Sequence, residues 1–259
     1  MDAPIIVNGA CGRMGRLVVS ALREAGLGPI VGCEREGART EPPDSIPMTS
    51  DLRTAVAAGG VVVDFSHPSA TEDLLAAVEA RAARLVIGTT GQSETQIDRL
   101  RRAAERVPIV LSSNFSLGIQ RILQLIPALR VFMDDGFDLE CLEVHHRAKR
   151  DAPSGTAKAL LEALLGPGAE AHRVHGRLGP EAGRHEGEVG VHSVRLGGVV
   201  GDHALLFGND HEVVEIRHRA LDRAAFVSGV APAVRFVRHR APGLYSMLDV
   251  MRDATASAT

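Results

Sequence analysis

Short β-branched and aliphatic runs alternate with longer stretches of helical periodicity through the first 111 residues. The runs Pro4 to Val7, Pro29 to Cys33, Val61 to Asp64, Arg84 to Ile87 and Pro108 to Leu111 read as strands. Between them the periodicity predicts helices near Arg13 to Ala25, Ser69 to Ala82 and Glu94 to Arg106. This is the pattern of βαβ units, and right-handed crossovers turn such units into an open, doubly wound parallel sheet.

After a further helix, about Leu117 to Phe132, the pattern changes. Strand-like runs follow at Asp138 to His145, Glu188 to Leu196, Asp202 to Phe207 and Glu212 to Arg217, mostly joined by short polar turns and interrupted by one helix, Thr156 to Leu165. A mixed or antiparallel sheet is expected here. The glycine-rich stretch from Gly166 to Glu188 reads as a long loop or lid.

With 259 residues and 45% hydrophobic content the chain can bury a full core, as one large domain or two modest ones. A formal net charge of -3 gives no electrostatic footprint for nucleic acid or an anionic membrane, which moves small-molecule chemistry up. The absence of Trp and the single Tyr also remove the stacking surfaces that single-strand binders use. Cys11, Cys33 and Cys141 are far apart and odd in number, against a disulfide framework and against CxxC metal sites. No apolar run approaches the roughly 20 residues that span a bilayer. The start carries an acid where a signal peptide would be basic, so a cytoplasmic location is expected.

The first strand runs into GACGRMG, Gly9 to Gly15, and then into an apolar-periodic helix. Glycines there let a pyrophosphate approach the backbone, and the helix N-terminus offers N–H groups and a favourable dipole. Glycines at such a turn can also serve packing alone. The context favours a dinucleotide, because Glu34 closes the second strand at the spacing where a carboxylate meets ribose hydroxyls. Arg35, next to it, suits a 2′-phosphate. The strand ends DFSHP (Asp64 to Pro68), GTTG (Gly88 to Gly91) and SSNF (Ser112 to Phe115) should line the same crevice.

The densest chemical signal is ECLEVHHRAKRDAPSGTAKAL, Glu140 to Leu160. Strand alternation sends His145 and His146 to opposite faces. Lys149 lies just beyond, and Ser154, Gly155 and Thr156 open a helix whose hydroxyls and N–H groups suit a carboxylate or phosphate. A polar strand-loop-helix with Ser154 or Thr156 as an ordinary N-cap is the plain alternative. No metal site is expected: adjacent histidines point apart, no Cys or acid stands at ligand spacing, and His172 and His175 fall in the glycine-rich stretch.

The run E-x-x-E-x-H-H-R-x-K-x-D-A-P-S-G-T-A, Glu140 to Ala157, resembles the signature of the 4-hydroxy-tetrahydrodipicolinate reductase family, formerly the dihydrodipicolinate reductases. The resemblance extends over nearly the whole chain, through GACGRMG, Glu34 to Gly37, Gly88 to Thr90, Asn114 to Ser116, the runs around His192 and Asp202, and the closing GLYSMLDVM. Ala148 departs from the histidine or aromatic residue of many relatives, Cys141 from an aliphatic one and His67 from an arginine.

The resemblance implies a Rossmann-like dinucleotide domain, residues 1–115 and 223–259, with an inserted mixed-sheet α+β domain, 116–222, that binds substrate and builds a homotetramer. It implies NADH or NADPH as cofactor and a small dicarboxylate as substrate, with no nucleic-acid or membrane partner. His145 matches the family's general acid/base and Lys149 its proton donor. His146, Ser154, Gly155 and Thr156 match the substrate-binding positions. Gly9, Ala10, Cys11, Gly12, Arg13, Met14, Glu34, Arg35, Gly88, Thr89, Thr90, Ser112, Ser113, Asn114 and Phe115 match or adjoin the cofactor-binding segments. The expected reaction is reduction of 4-hydroxy-tetrahydrodipicolinate on the way to lysine. The alternatives are a same-fold paralogue acting on another cyclic imine or carbonyl, and a non-catalytic nucleotide sensor.

Overall fold

The protein, seen in a computed structural model, is described over residues 3–37, 41–43, 46–166 and 173–256. The chain divides into two compact units, Met1–Leu117 with Arg223–Thr259, and Gly118–Asp222.

In the first unit the order is β1 (Ile5–Asn8), α1 (Arg13–Glu24), β2 (Ile30–Cys33), β3 (Met48–Thr49), α2 (Leu52–Ala55), β4 (Val61–Asp64), α3 (Thr71–Ala80), β5 (Arg84–Ile87), α4 (Glu94–Ala104) and β6 (Pro108–Leu111). The chain then passes through α5 (Leu117–Asp134) into the second unit, with β7 (Asp138–His145), α6 (Gly155–Leu165), β8 (Arg173–Val174), β9 (Val189–Arg195), β10 (Gly201–Gly208) and β11 (Val213–Ala220). It closes in the first unit with α7 (Val230–Arg238), β12 (Gly243–Tyr245) and α8 (Met247–Ala256).

The first unit holds a seven-stranded sheet in the order β12-β6-β5-β4-β1-β2-β3, every pairing parallel. Every residue of β1 and β4 is buried because helices cover both faces. Ile5 and Val7 pack with Val18 and Leu22 of α1 and Val234 and Val237 of α7. Ile6 and Val62 point the other way, to Leu74 of α3 and Leu100 of α4. A capping box starts α4: Ser93 Oγ accepts from Gln96 N at 3.2 Å, and Gln96 Oε1 accepts from Ser93 N at 3.0 Å.

The second unit holds a five-stranded mixed sheet, β11-β10-β7-β9-β8. Strand β10 runs antiparallel to β11 and β7, while β7, β9 and β8 pair parallel. One end of one sheet face is apolar: Leu139, Cys141, Val189, Val191, Leu205 and Phe207 pack under Ile126 of α5 and Leu160, Leu161 and Leu164 of α6. No helix among the described residues is long and apolar enough to cross a membrane.

Elements beyond the expected set are β3, α2, β8, α7, β12 and α8. The described part of the expected long loop is irregular apart from the two residues of β8. Residues 167–172, with His172, lie outside the described residues. From Arg173 the stretch carries β8 and is tied down, as Arg177 donates to Glu140 and Glu188 at 3.3 and 2.9 Å and Arg184 also binds Glu140.

Candidate active site

The first unit builds a cleft at the carboxyl ends of its strands. Gly12 N-caps α1 without a side-chain hydrogen bond, so the first turn of the helix keeps its N–H groups for an anion. Gly9 has φ +77°, and a Cβ there would sit 2.9 Å from the Phe65 carbonyl oxygen; a Cβ on Gly15 would overlap the Gly9 carbonyl. Asn8, Gly9, Gly12, Glu34, Arg35, Ser66 and His67 line the resulting cleft of about 540 Å³. Glu34 Oε2 accepts from Cys11 N at 3.2 Å, which ties the end of β2 to the glycine turn. Ala10 and Cys11 are buried beneath the turn, Met14 is half-buried, and Arg13 is exposed.

A buried carboxylate binds the neighbouring strand ends together. Asp64 accepts from Asn8 Nδ2 at 2.7 Å, from Ser66 Oγ at 2.6 Å and from Thr89 Oγ1. Burial raises its pKa, opposed by the hydrogen bonds from Ser66, Thr89 and Asn8. Thr89 therefore points inward, while Thr90 is exposed. Gly88 lies where a Cβ would meet the Phe65 ring. Ser112 Oγ donates to the Asn114 carbonyl at 2.8 Å, Ser113 is exposed, and Phe115 is buried against Phe65, ring centres 5.4 Å apart.

The second unit places its chemistry on the sheet face that forms its core. Register carries the apolar positions Leu139 and Cys141 of β7 on to Glu143 and His145, with Ser193 and Arg195 beside them on β9 and His203 opposite Glu143 on β10. Glu143 is fully buried. Arg195 donates to both its oxygens at 3.1 Å, Ser154 N donates to Oε1 at 3.2 Å, and His145 Nδ1 hydrogen-bonds Oε2. Burial pushes the Glu143 carboxyl up, but the bonds from Arg195, Ser193 and His145 outweigh it and the net pKa is lowered. Burial lowers the His145 pKa, with Glu143 opposing.

Ser154 N-caps α6, its Oγ accepting from Ala157 N at 3.1 Å and bonding His203 Nε2 at 2.9 Å. At 2% exposure the Ser154 hydroxyl serves the fold, and Gly155 and Thr156 present the helix start. Burial, then the His145 charge, lowers the His203 pKa to about 4, so that ring is neutral at pH 7. His146 is half-buried on the opposite parity to His145, and its carbonyl accepts from Lys149 N at 3.1 Å. The Lys149 ammonium donates to both Asp151 oxygens at 2.9 Å.

Within this unit His145, Lys149 and the Ser154–Thr156 helix start come together, and Glu143, Arg195, His203 and Asp151 join them. The absence of an acid at ligand spacing, inferred from residue types, overlooked Glu143 two positions before His145. Alternation could have flagged that pair, whereas Arg195 and His203 depend on strand register.

The glycine turn at the start of α1 with an acid closing β2 is the architecture of a dinucleotide-binding unit, and the second unit carries its own cluster of a histidine, a lysine and a helix start; these are the features of the class of nicotinamide-dependent oxidoreductases. Residues 3–115 match the family model described as dihydrodipicolinate reductase, N-terminus, and residues 118–251 the one described as its C-terminus. The chain is 38% identical to the 4-hydroxy-tetrahydrodipicolinate reductase of Thiobacillus denitrificans over 97% of this chain and 99% of that protein. It is 37% identical to that of Alkaliphilus oremlandii, over 95% and 98%. In fold it resembles the dipicolinate-bound dihydrodipicolinate reductase of Paenisporosarcina sp. TG-14, with TM-score 0.72, 22% identity and coverage of 95% and 98%. The chain belongs to the dihydrodipicolinate reductase family.

Proposed function

We propose that this chain reduces 4-hydroxy-tetrahydrodipicolinate to tetrahydrodipicolinate with NADH or NADPH, a step towards diaminopimelate and lysine. The observation that carries the reading is the convergence of His145, Lys149 and the N-terminus of α6 on one polar end of the second sheet.

The glycine turn fits a dinucleotide: Gly9 and Gly12 admit a pyrophosphate that side chains would exclude, and the start of α1 receives its charge. Glu34 and Arg35 are the groups for the adenosine ribose. When bound, the reduced nicotinamide supplies the hydride. Gly88 to Thr90 and Ser112 to Phe115 shape the neighbouring strand-end loops. In the second unit His146, Lys149 and the Gly155-Thr156 start of α6 receive the substrate carboxylates, cation and helix dipole acting together, while Ser154 caps the helix and holds Glu143. Lys149 Nζ delivers a proton to the other end of the reduced double bond, and His145 acts as the accompanying acid/base. The functional assembly proposed is a cytoplasmic homotetramer, which light scattering would report as four times the 27.5 kDa chain mass.

The test is a substrate panel followed by loss of reduced-cofactor absorbance. Freshly made 4-hydroxy-tetrahydrodipicolinate should be turned over with kcat/KM at least ~100-fold above a monocarboxylate cyclic imine or a ketone, a margin of about 2.7 kcal/mol. Faster turnover of another imine or carbonyl identifies a paralogue. Cofactor binding without turnover of any panel member identifies a sensor.

A further inference from the structure

The geometry of the reaction has to include which nitrogen of His145 exchanges the proton, and a group outside the acid/base pair decides this. Glu143 is fully buried and meets donors on both oxygens: Arg195 at 3.1 Å on each and Ser154 N at 3.2 Å on Oε1. A carboxylate so surrounded is ionised and can only accept, so the His145 Nδ1 that hydrogen-bonds its Oε2 must carry a hydrogen. Arg195 is in turn anchored by donating to the Asp151 carbonyl at 2.6 Å and the Val194 carbonyl at 2.8 Å.

We propose that Glu143, clamped by Arg195, is the positioning residue that fixes the ring and tautomer of His145, leaving the Nε2 lone pair to exchange the proton. This rests on the reading of His145 as the acid/base. Glu143 touches no reacting atom in this scheme; it acts through the imidazole, as the acid of a carboxylate–histidine pair does.

Glu143→Gln tests it, because the amide keeps the shape but not the charge. Its oxygen belongs opposite Arg195 Nη2 and Ser154 N, the two fixed donors on Oε1, which turns the NH₂ towards His145 Nδ1 with loss of the single Arg195 Nη1 bond and moves the hydrogen to Nε2. The charged and titratable groups around His145 are Glu143 on its own strand, Lys149 in the following loop, Arg195 on β9 and His203 on β10, whose ring centre is 5.0 Å away. Removing the Glu143 charge leaves only cations and a neutral histidine, so the His145 limb of the pH–rate profile should move to lower pH.

The experiment is ¹⁵N NMR of the histidine rings of the full chain, with His145 assigned by its loss in His145→Asn, alongside kinetics. Expected are an Nδ1–H tautomer in the wild type, Nε2–H in Glu143→Gln, a kcat lowered at least ~100-fold, KM within about threefold, and the limb displaced downwards. A wild-type ring protonated on Nε2 overturns the proposal, as does Glu143→Gln with near-normal kcat. If the variant fails to fold, the wild-type tautomer alone decides. Failure of the activity reading is separate: a wild-type chain that does not turn over the dicarboxylate loses its assigned reaction, while its tautomer still reports on Glu143.

Discussion

Lys149 and Asp151 form a bidentate ion pair, the ammonium donating at 2.9 Å to each carboxylate oxygen two residues along the chain. Burial is the largest single influence on Asp151 and raises its pKa, but the bond from Lys149, a backbone hydrogen bond and the charges of Lys149 and Arg195 together outweigh it, and the net pKa is lowered. In the proposed reading Asp151 competes with an incoming carboxylate for the lysine. Asp151→Asn should leave kcat within about threefold and lower the dicarboxylate KM severalfold, since it removes a like charge from an anion site. Steady-state kinetics check this; a tenfold fall in kcat would mean that Asp151 aligns Lys149 for proton delivery.

The His203 pKa, about 4 in the fold against 6.5 for an ordinary histidine, makes stability depend on pH. Between these values the unfolded chain binds the proton and the folded one does not. The contribution is complete above about pH 6.5 and is lost as pH falls towards 4, reaching about 3 kcal/mol. His145 and His218, also lowered by burial, act in the same direction. Urea denaturation at pH 7 and pH 5 should show the loss, and His203→Gln should shrink the difference by at least ~1 kcal/mol. An unchanged difference would place the sensitivity elsewhere.

Glu34 and Arg35 line the same cleft, and Glu34 also holds the glycine turn through Cys11 N. One residue favours ribose hydroxyls and the other a 2′-phosphate. NADH and NADPH should therefore serve within roughly tenfold in kcat/KM, about 1.4 kcal/mol. Arg35→Ala should weaken NADPH alone. A hundredfold preference in the wild type would contradict the shared placement.

The βα alternation up to Leu111 was legible because each strand is a short apolar run between helical periods. Strand β12 was not: Gly243–Tyr245 pairs with Pro108–Val110 far away in sequence, and three residues carry no period. Helix α7 is legible by contrast: Val230, Ala233, Val234 and Val237 recur at helical spacing on its buried face, and Pro232 lies in its first turn, where proline is tolerated. The His145–Lys149 run and the Ser-Gly-Thr turn stood out because their residue types are contiguous. Their supports did not, because Arg195 and His203 reach Glu143 and Ser154 only through the register of β9 and β10 on β7. Ser154 and Thr89 read as site hydroxyls, yet their oxygens bond inward, an outcome that packing decides.

In the proposed reading cofactor binding and proton delivery belong to residues of different units, so they should separate under mutation. Lys149→Arg should rescue little of what Lys149→Ala loses, because guanidinium keeps the charge but does not release its proton at working pH.

The most direct measurement is kcat and KM of Lys149→Ala with 4-hydroxy-tetrahydrodipicolinate, alongside its equilibrium affinity for NADH. A positioned proton donor contributes about 100-fold or more, so kcat should fall by at least that factor with cofactor affinity almost unchanged. Near-normal kcat with only a raised KM would make Lys149 a substrate anchor and contradict its role as proton donor.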